Sequence, residues 1–139
     1  MPYTSYYSLK TEPFSKEIPV KNLYVSSNMK EAQSRLRYLN KAKGYGLLIG
    51  DTGCGKTTSL RIYAHELDTS RYKIIYYPLS TGTVIDFYRG LVMGLGEDPA
   101  HRKVDLFSQI QSSIKELYYQ KGMTPVFILD EMHLAPNKF

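Results

Sequence analysis

One run of eight residues constrains this chain more than any other feature: Gly50-Asp51-Thr52-Gly53-Cys54-Gly55-Lys56-Thr57 matches the phosphate-binding pattern G-x-x-x-x-G-K-[ST] without a departure. The preceding residues, Gly46-Leu47-Leu48-Ile49, are apolar and β-prone, and Ser59 to Leu67 can be helical. The run is therefore expected between a strand and a helix, the setting in which the pattern has a mechanism. Gly50, Gly53 and Gly55 allow backbone conformations closed to residues with a Cβ, so that successive N–H groups can converge on phosphate oxygens at a helix N-terminus. Lys56 would bring a mobile cation to the β- and γ-phosphates, and the Thr57 hydroxyl would ligate the accompanying Mg²⁺. The whole run, with Thr58 one residue on, is the expected contact set for Mg-ATP.

A second pattern lies downstream. Pro125-Val126-Phe127-Ile128-Leu129-Asp130-Glu131 reads as an apolar strand ending in two carboxylates. Strands of a parallel sheet covered on both faces are continuously apolar, and functional side chains emerge at their C-terminal ends. Asp130 is expected beside the phosphate loop as a holder of the hydrated Mg²⁺. Glu131 would orient and polarise the water that attacks the γ-phosphate. Glu131 and Lys56 are thus the expected catalytic residues, and Thr57 and Asp130 the expected metal ligands.

Composition sets outer bounds. The chain has 139 residues, 42% hydrophobic and 22% charged, the balance of one globular domain rather than a disordered segment. Its single cysteine, Cys54, has no internal disulfide partner, which favours a reducing, cytoplasmic setting. Cys54 occupies a variable position of the motif and is read as a small residue tolerated there, ahead of a redox role. The N-terminus, Met1-Pro2-Tyr3-Thr4-Ser5-Tyr6-Tyr7, has neither a basic start nor an apolar run, and no stretch approaches a membrane span, so no membrane association is expected. Eighteen Lys and Arg against 13 Asp and Glu give a net charge of +5, which permits a polyanionic partner without demonstrating one.

The order of elements indicates the fold. Residues 1–27 form a lead-in expected to be extended, because Pro2, Pro13 and Pro19 argue against helix. A helix is expected from Asn28, with Asn28 and Glu31 spaced like a capping box and Met29, Ala32, Leu36 and Leu39 as its apolar stripe, stopped by Gly44. After the phosphate loop and its helix, Tyr72 to Tyr77 reads as a strand closed by Pro78. Val84, Phe87, Leu91 and Leu95 mark a helix broken at Gly94, Gly96 and Pro99. Val104, Phe107, Ile110, Ile114, Leu117 and Tyr118 mark a longer one that stops at Gly122. Alternating helices and strands predict an α/β sandwich of three layers with a parallel sheet and right-handed crossovers.

These residues resemble a known family. The runs Tyr6-Tyr7-Ser8-Leu9-Lys10, Pro13-Phe14, Leu23-Tyr24-Val25-Ser26, and Glu31-Ala32 with Arg35-Leu36 before the phosphate loop resemble the AAA+ P-loop ATPases of the ExeA and TnsC type. Pro78-Leu79-Ser80-Thr81, Asp86-Phe87-Tyr88-Arg89-Gly90-Leu91 and Gly94-Leu95-Gly96 bring it closest to the ATP-binding proteins of bacterial insertion elements. The resemblance implies that Gly50, Gly53, Gly55, Lys56 and Thr57 act as Walker A and Asp130 and Glu131 as Walker B. It also implies an adenine contact near Leu23 and Tyr24. For the complete protein it implies ATP hydrolysis, homo-oligomer formation, and association with DNA and a transposase. In such domains two further strands and a helical lid follow Walker B, and the sheet order is 5-1-4-3-2. Residues 28–139 therefore read as the N-terminal part only of an AAA+ domain, with the later strands and helical lid absent and no sensor or arginine finger to assign. His133 is read as a surface loop residue. Two other readings are kept: an ATP-binding fragment without turnover, and a secretion-associated ATPase of the ExeA kind, whose membrane and peptidoglycan-binding segments are not visible here.

Overall fold

Two glycines on one helix explain how the sheet acquires its cover. In the computed structural model, which describes residues 3–80 and 82–137, helix Val84–Leu95 lies against strand Tyr72–Pro78. A Cβ on Gly94 would come within 2.5 Å of Ile75, and one on Gly90 would run into the Tyr77 ring. Gly94 was expected to break this helix. Instead it lies inside it, one turn from Gly90, and permits the close approach.

The chain divides into two compact units, Met1–His65 and Glu66–Phe139. In the first, α1 (Tyr3–Tyr6) and a 3₁₀ turn at Val20–Asn22 interrupt the lead-in, so the expectation of a wholly extended segment fails. The prolines do not prevent this, because Pro19 stands just outside its turn, where a missing N–H costs nothing. Helix α2 spans Ser27–Ala42 and α3 spans Lys56–Glu66. The cap of α2 falls earlier than expected: Ser26, in an extended conformation, accepts a hydrogen bond from the Met29 N–H at 3.3 Å. Its C-cap is Lys43 in the left-handed region (φ 51°), so the helix ends just before the expected Gly44.

The second unit holds β1 (Tyr72–Pro78), α4 (Val84–Leu95), α5 (Lys103–Tyr119) and β2 (Thr124–Asp130). The strands are parallel, with Ile75 opposite Phe127 and Pro78 opposite Asp130. Ile75 and Tyr77 on β1, with Phe127 and Leu129 on β2, share one face, which packs on Leu91, Val92, Leu95, Leu106, Ile110 and Leu117 of the two helices. Thr83 opens α4 with a reciprocal capping box. Its hydroxyl accepts from the Asp86 N–H, and Asp86 Oδ2 accepts from the Thr83 N–H. The left-handed Gly96 closes the helix. Gln109 of α5 then clamps the connection, donating to the Asp98 carbonyl and accepting from the Ala100 N–H.

This is α/β architecture with a parallel sheet, as expected, and β1 beside β2 corresponds to the neighbours 3-2 of the expected order. The strand expected at residues 46–49 does not form. β1 and β2 are the only paired strands among the described residues, and Tyr45, Leu47 and Ile49 are largely exposed. Apolar, β-prone sequence makes a strand only where a partner completes its ladder, and no strand among the described residues pairs with residues 46–49.

Candidate functional site

In the first unit, the phosphate-loop run turns into α3 without a connecting residue, because the helix starts at Lys56 itself rather than at Ser59. Gly53 (φ 81°) and Gly55 (φ 92°) adopt the positive φ that the run requires. Cys54 N–H donates to the Asp51 carbonyl at 3.3 Å, closing the turn, and Ser59 N–H donates to the Gly55 carbonyl at 2.8 Å, starting the helical ladder. Asp51, Thr52, Gly53, Cys54 and Thr57 are exposed, and Thr58 is half-buried. The loop thus presents its backbone to solvent at a helix N-terminus, where unsatisfied N–H groups and the helix dipole favour an anion.

Lys56 folds back over this loop. Its Nζ donates to the Gly50 carbonyl at 2.6 Å and to the Asp51 carbonyl at 2.9 Å. An ammonium has three protons, so one remains for a further acceptor. The contacts hold the cation above the loop.

Beside Thr57 and Thr58 lies a cavity of about 720 Å³, lined also by Ser15, Lys16, Glu17, Ile18, Leu23 and Arg61. The lead-in forms one wall because the Arg61 guanidinium donates to the carbonyls of Lys16 and Ile18, each at 3.1 Å. Leu23, one of the residues expected near the base, belongs to this wall. Tyr24, 87% exposed, does not line the cavity. Arg61 escaped the sequence reading, since a basic residue on a helix looks like any solvated one.

The second unit carries the carboxylate pair. Asp130, the last residue of β2, is buried, with 8% of its surface exposed. Its Oδ1 accepts from the Glu131 N–H at 2.9 Å, and its Oδ2 accepts from the Tyr76 hydroxyl, also at 2.9 Å. A carboxylate with about four lone-pair sites can serve several donors at once, which fits a role toward a hydrated cation. Glu131 is exposed and left-handed (φ 58°, ψ 32°), a conformation uncommon for a residue with a Cβ. Such backbone turns the chain sharply at the strand end. It sends the Glu131 carboxylate to solvent, where its Oε2 lies 3.2 Å from His133 Nε2. His133 is exposed, as expected, but it stands in a 3₁₀ turn, Met132–Leu134, rather than in a loop.

A glycine-rich loop at a helix N-terminus and a parallel strand ending in two carboxylates define the class of P-loop nucleotide-binding proteins. The comparisons agree: residues 39–139 match the family described as AAA domain. No curated protein and no solved structure matches the chain. It belongs to the AAA domain family of P-loop ATPases, for which ATP binding and hydrolysis are the general activity and Mg²⁺ the usual companion. No helix among the described residues is long and apolar enough to cross a membrane.

Proposed function

We propose that this chain binds Mg-ATP through Gly50 to Thr58, with Thr57 and Asp130 holding the metal, and that in a complete domain Glu131 directs water at the γ-phosphate. The observation that carries this reading is the loop itself, with Gly53 and Gly55 at positive φ, its helix starting at the motif lysine, and its Lys56 cation drawn over the backbone. In such a site Lys56 meets charge on the β- and γ-phosphates, the Thr57 hydroxyl and the Asp130 carboxylate orient the cation's shell, and the cavity beside Leu23 admits the base. Bound Mg²⁺ would neutralise phosphate charge. Glu131, exposed at the strand end beside His133, offers a carboxylate that can accept a proton from water.

The wider role we propose is that of a cytoplasmic, DNA-associated accessory ATPase of a transposition system, working as a homo-oligomer with a transposase. Its support is the resemblance of the flanking runs to the insertion-element proteins, together with the exposed basic residues Lys30, Arg37 and Lys41 on α2. A second reading, ATP binding without turnover by these 139 residues, is favoured by residues 46–49, which join no strand among the described residues.

Titration with a fluorescent ATP analogue and a phosphate-release assay test both readings. Lys56→Ala should weaken Mg-ATP binding by more than about tenfold, or roughly 1.4 kcal/mol, as one charge-assisted contact is lost. Glu131→Gln should retain nucleotide while abolishing hydrolysis. Unchanged affinity in Lys56→Ala would sink the assignment of the loop, and phosphate release equal in the parent and Lys56→Ala would select binding without turnover.

A further inference from the structure

The parallel register places an unforeseen residue against the Walker B carboxylate. Pro78 stands opposite Asp130, so Tyr76, two residues earlier on β1, lies on the same sheet face and one diagonal step away. A tyrosine is long enough to span that diagonal, and its hydroxyl reaches Asp130 Oδ2 at 2.9 Å.

The Asp130 carboxylate is thereby held from two directions, by the Tyr76 hydroxyl on Oδ2 and by the Glu131 N–H on Oδ1. With a donor on each oxygen, rotation about the Cβ–Cγ bond would break both bonds, so the carboxylate plane is fixed. Being mostly buried, the carboxylate has little water to take over either role. Tyr76 itself remains 44% exposed. A ring that exposed contributes modestly to packing, and a phenylalanine would supply the same contacts. What the hydroxyl adds is the orientation of Asp130.

We propose that Tyr76 is a positioning residue for Asp130, fixing the carboxylate orientation in which it can hold a divalent cation. This rests on the reading of Asp130 as a metal-holding group. Groups that orient a ligand from behind are typically worth about 10- to 100-fold in metal affinity. Tyr76 touches neither nucleotide nor reacting atoms in this role, so its removal should alter cation affinity and leave cation-free nucleotide binding alone.

The test uses the whole chain. Mn²⁺ is titrated by electron paramagnetic resonance in the presence of a non-hydrolysable ATP analogue, and analogue affinity is measured separately in EDTA. Tyr76→Phe should lose about tenfold or more in Mn²⁺ affinity with its EDTA affinity unchanged. Asp130→Asn should lose at least as much, and the double variant should lose no more than Asp130→Asn alone, because both changes act through one carboxylate. Should Tyr76→Phe not fold, Tyr76→Leu removes the same hydroxyl and carries the same expectation. Normal Mn²⁺ affinity in the Tyr76 variant beside an impaired Asp130→Asn overturns the role of Tyr76 and leaves that of Asp130 standing. Normal affinity in Asp130→Asn overturns the metal-holding reading itself. An equal loss with and without cation would mark Tyr76 as a merely structural residue and overturn the proposal.

Discussion

Gln33 of α2 donates its side-chain amide to the Ser59 carbonyl of α3 at 2.7 Å, and both residues are buried, each 3% exposed. The bond ties α2 to the first turn and a half of the helix whose N-terminus carries the phosphate loop. Gln33 Oε1, by contrast, is buried without a partner, so the residue combines a useful donor with a costly acceptor.

The consequence is an asymmetric response to substitution. Gln33→Ala loses the bond and opens space, and should destabilise by about 1–3 kcal/mol. Gln33→Met fills the volume and removes the orphan oxygen, so it should lose clearly less. Urea unfolding midpoints at constant m-value decide it, and a Met variant as unstable as the Ala variant would show that the bond, rather than packing, dominates.

The glycines of the loop should differ in tolerance. Gly53 and Gly55 hold φ values of 81° and 92°, where alanine is strained however much space surrounds it. Gly50 has no positive φ, and a Cβ there would meet the Cys54 Sγ at 2.6 Å, an exposed thiol able to rotate away. Gly53→Ala and Gly55→Ala should therefore weaken nucleotide binding more than Gly50→Ala. Adding Cys54→Ala should restore part of the Gly50→Ala loss and none of the other two. Affinities from analogue titration check the order, and equal losses at all three positions would contradict it.

Legibility in the sequence followed the reach of each interaction. Helices α4 and α5 were readable because their apolar residues recur with the helical period and the core they meet is local. Gly94 was misread because its role depends on Ile75, a strand residue nineteen positions earlier. The motif loop was readable because Gly53 and Gly55 are demanded by backbone conformation, which is a local property, whereas Gly50, expected to share that demand, does not need a positive φ. Residues 46–49 carried a strand's composition, yet a strand exists only with its partner. Tyr76 left no signal, since its contact with Asp130 arises from the β1–β2 register. Gln33 left one: it stands four residues after Met29 and three before Leu36, on the apolar stripe of α2, where a polar side chain needs a buried partner.

Acid should weaken the second unit through its exposed carboxylates. The hydrogen bond from the Thr83 side chain, then that from the Thr83 backbone, holds the Asp86 carboxyl below its ordinary range, with Arg89 adding a smaller pull. Arg102 does the same for Asp105. A carboxyl depressed in the folded state contributes stability that is fully present above its unfolded pKa of about 3.9 and is lost as pH falls through its folded value. Melting temperature should therefore decline below about pH 4, more shallowly in Asp86→Asn, which has no such proton to take up. At neutral pH, Thr83→Ala should cost about 1 kcal/mol through loss of the cap. Thermal melts from pH 2 to pH 7 check both, and an Asp86→Asn curve parallel to the parent's throughout would exclude the cap as a source of acid sensitivity.

DNA association, if α2 provides it, should follow the rules of phosphate contact rather than base reading. Lys30, Arg37 and Lys41 recur at spacings of seven and four and are all exposed on α2, and Arg35 pairs with Glu31 at 2.6 Å. Each phosphate neutralised releases counterions and adds about 0.9 to the slope of log affinity against log salt, so three contacts should give a slope near −2.7. Binding should be indifferent to sequence, because side chains on phosphates carry no base information. Lys30→Ala with Lys41→Ala should flatten the slope by about 1.8 and weaken every duplex alike. Arg35→Ala should change little, since its guanidinium is already turned toward a neighbouring carboxylate. Filter binding across a salt series with two unrelated duplexes reads all of this. Failure to retain duplex at low salt, or a slope unmoved by the paired lysine substitution, would remove this face from the proposed role and leave any DNA association to other surfaces of the chain.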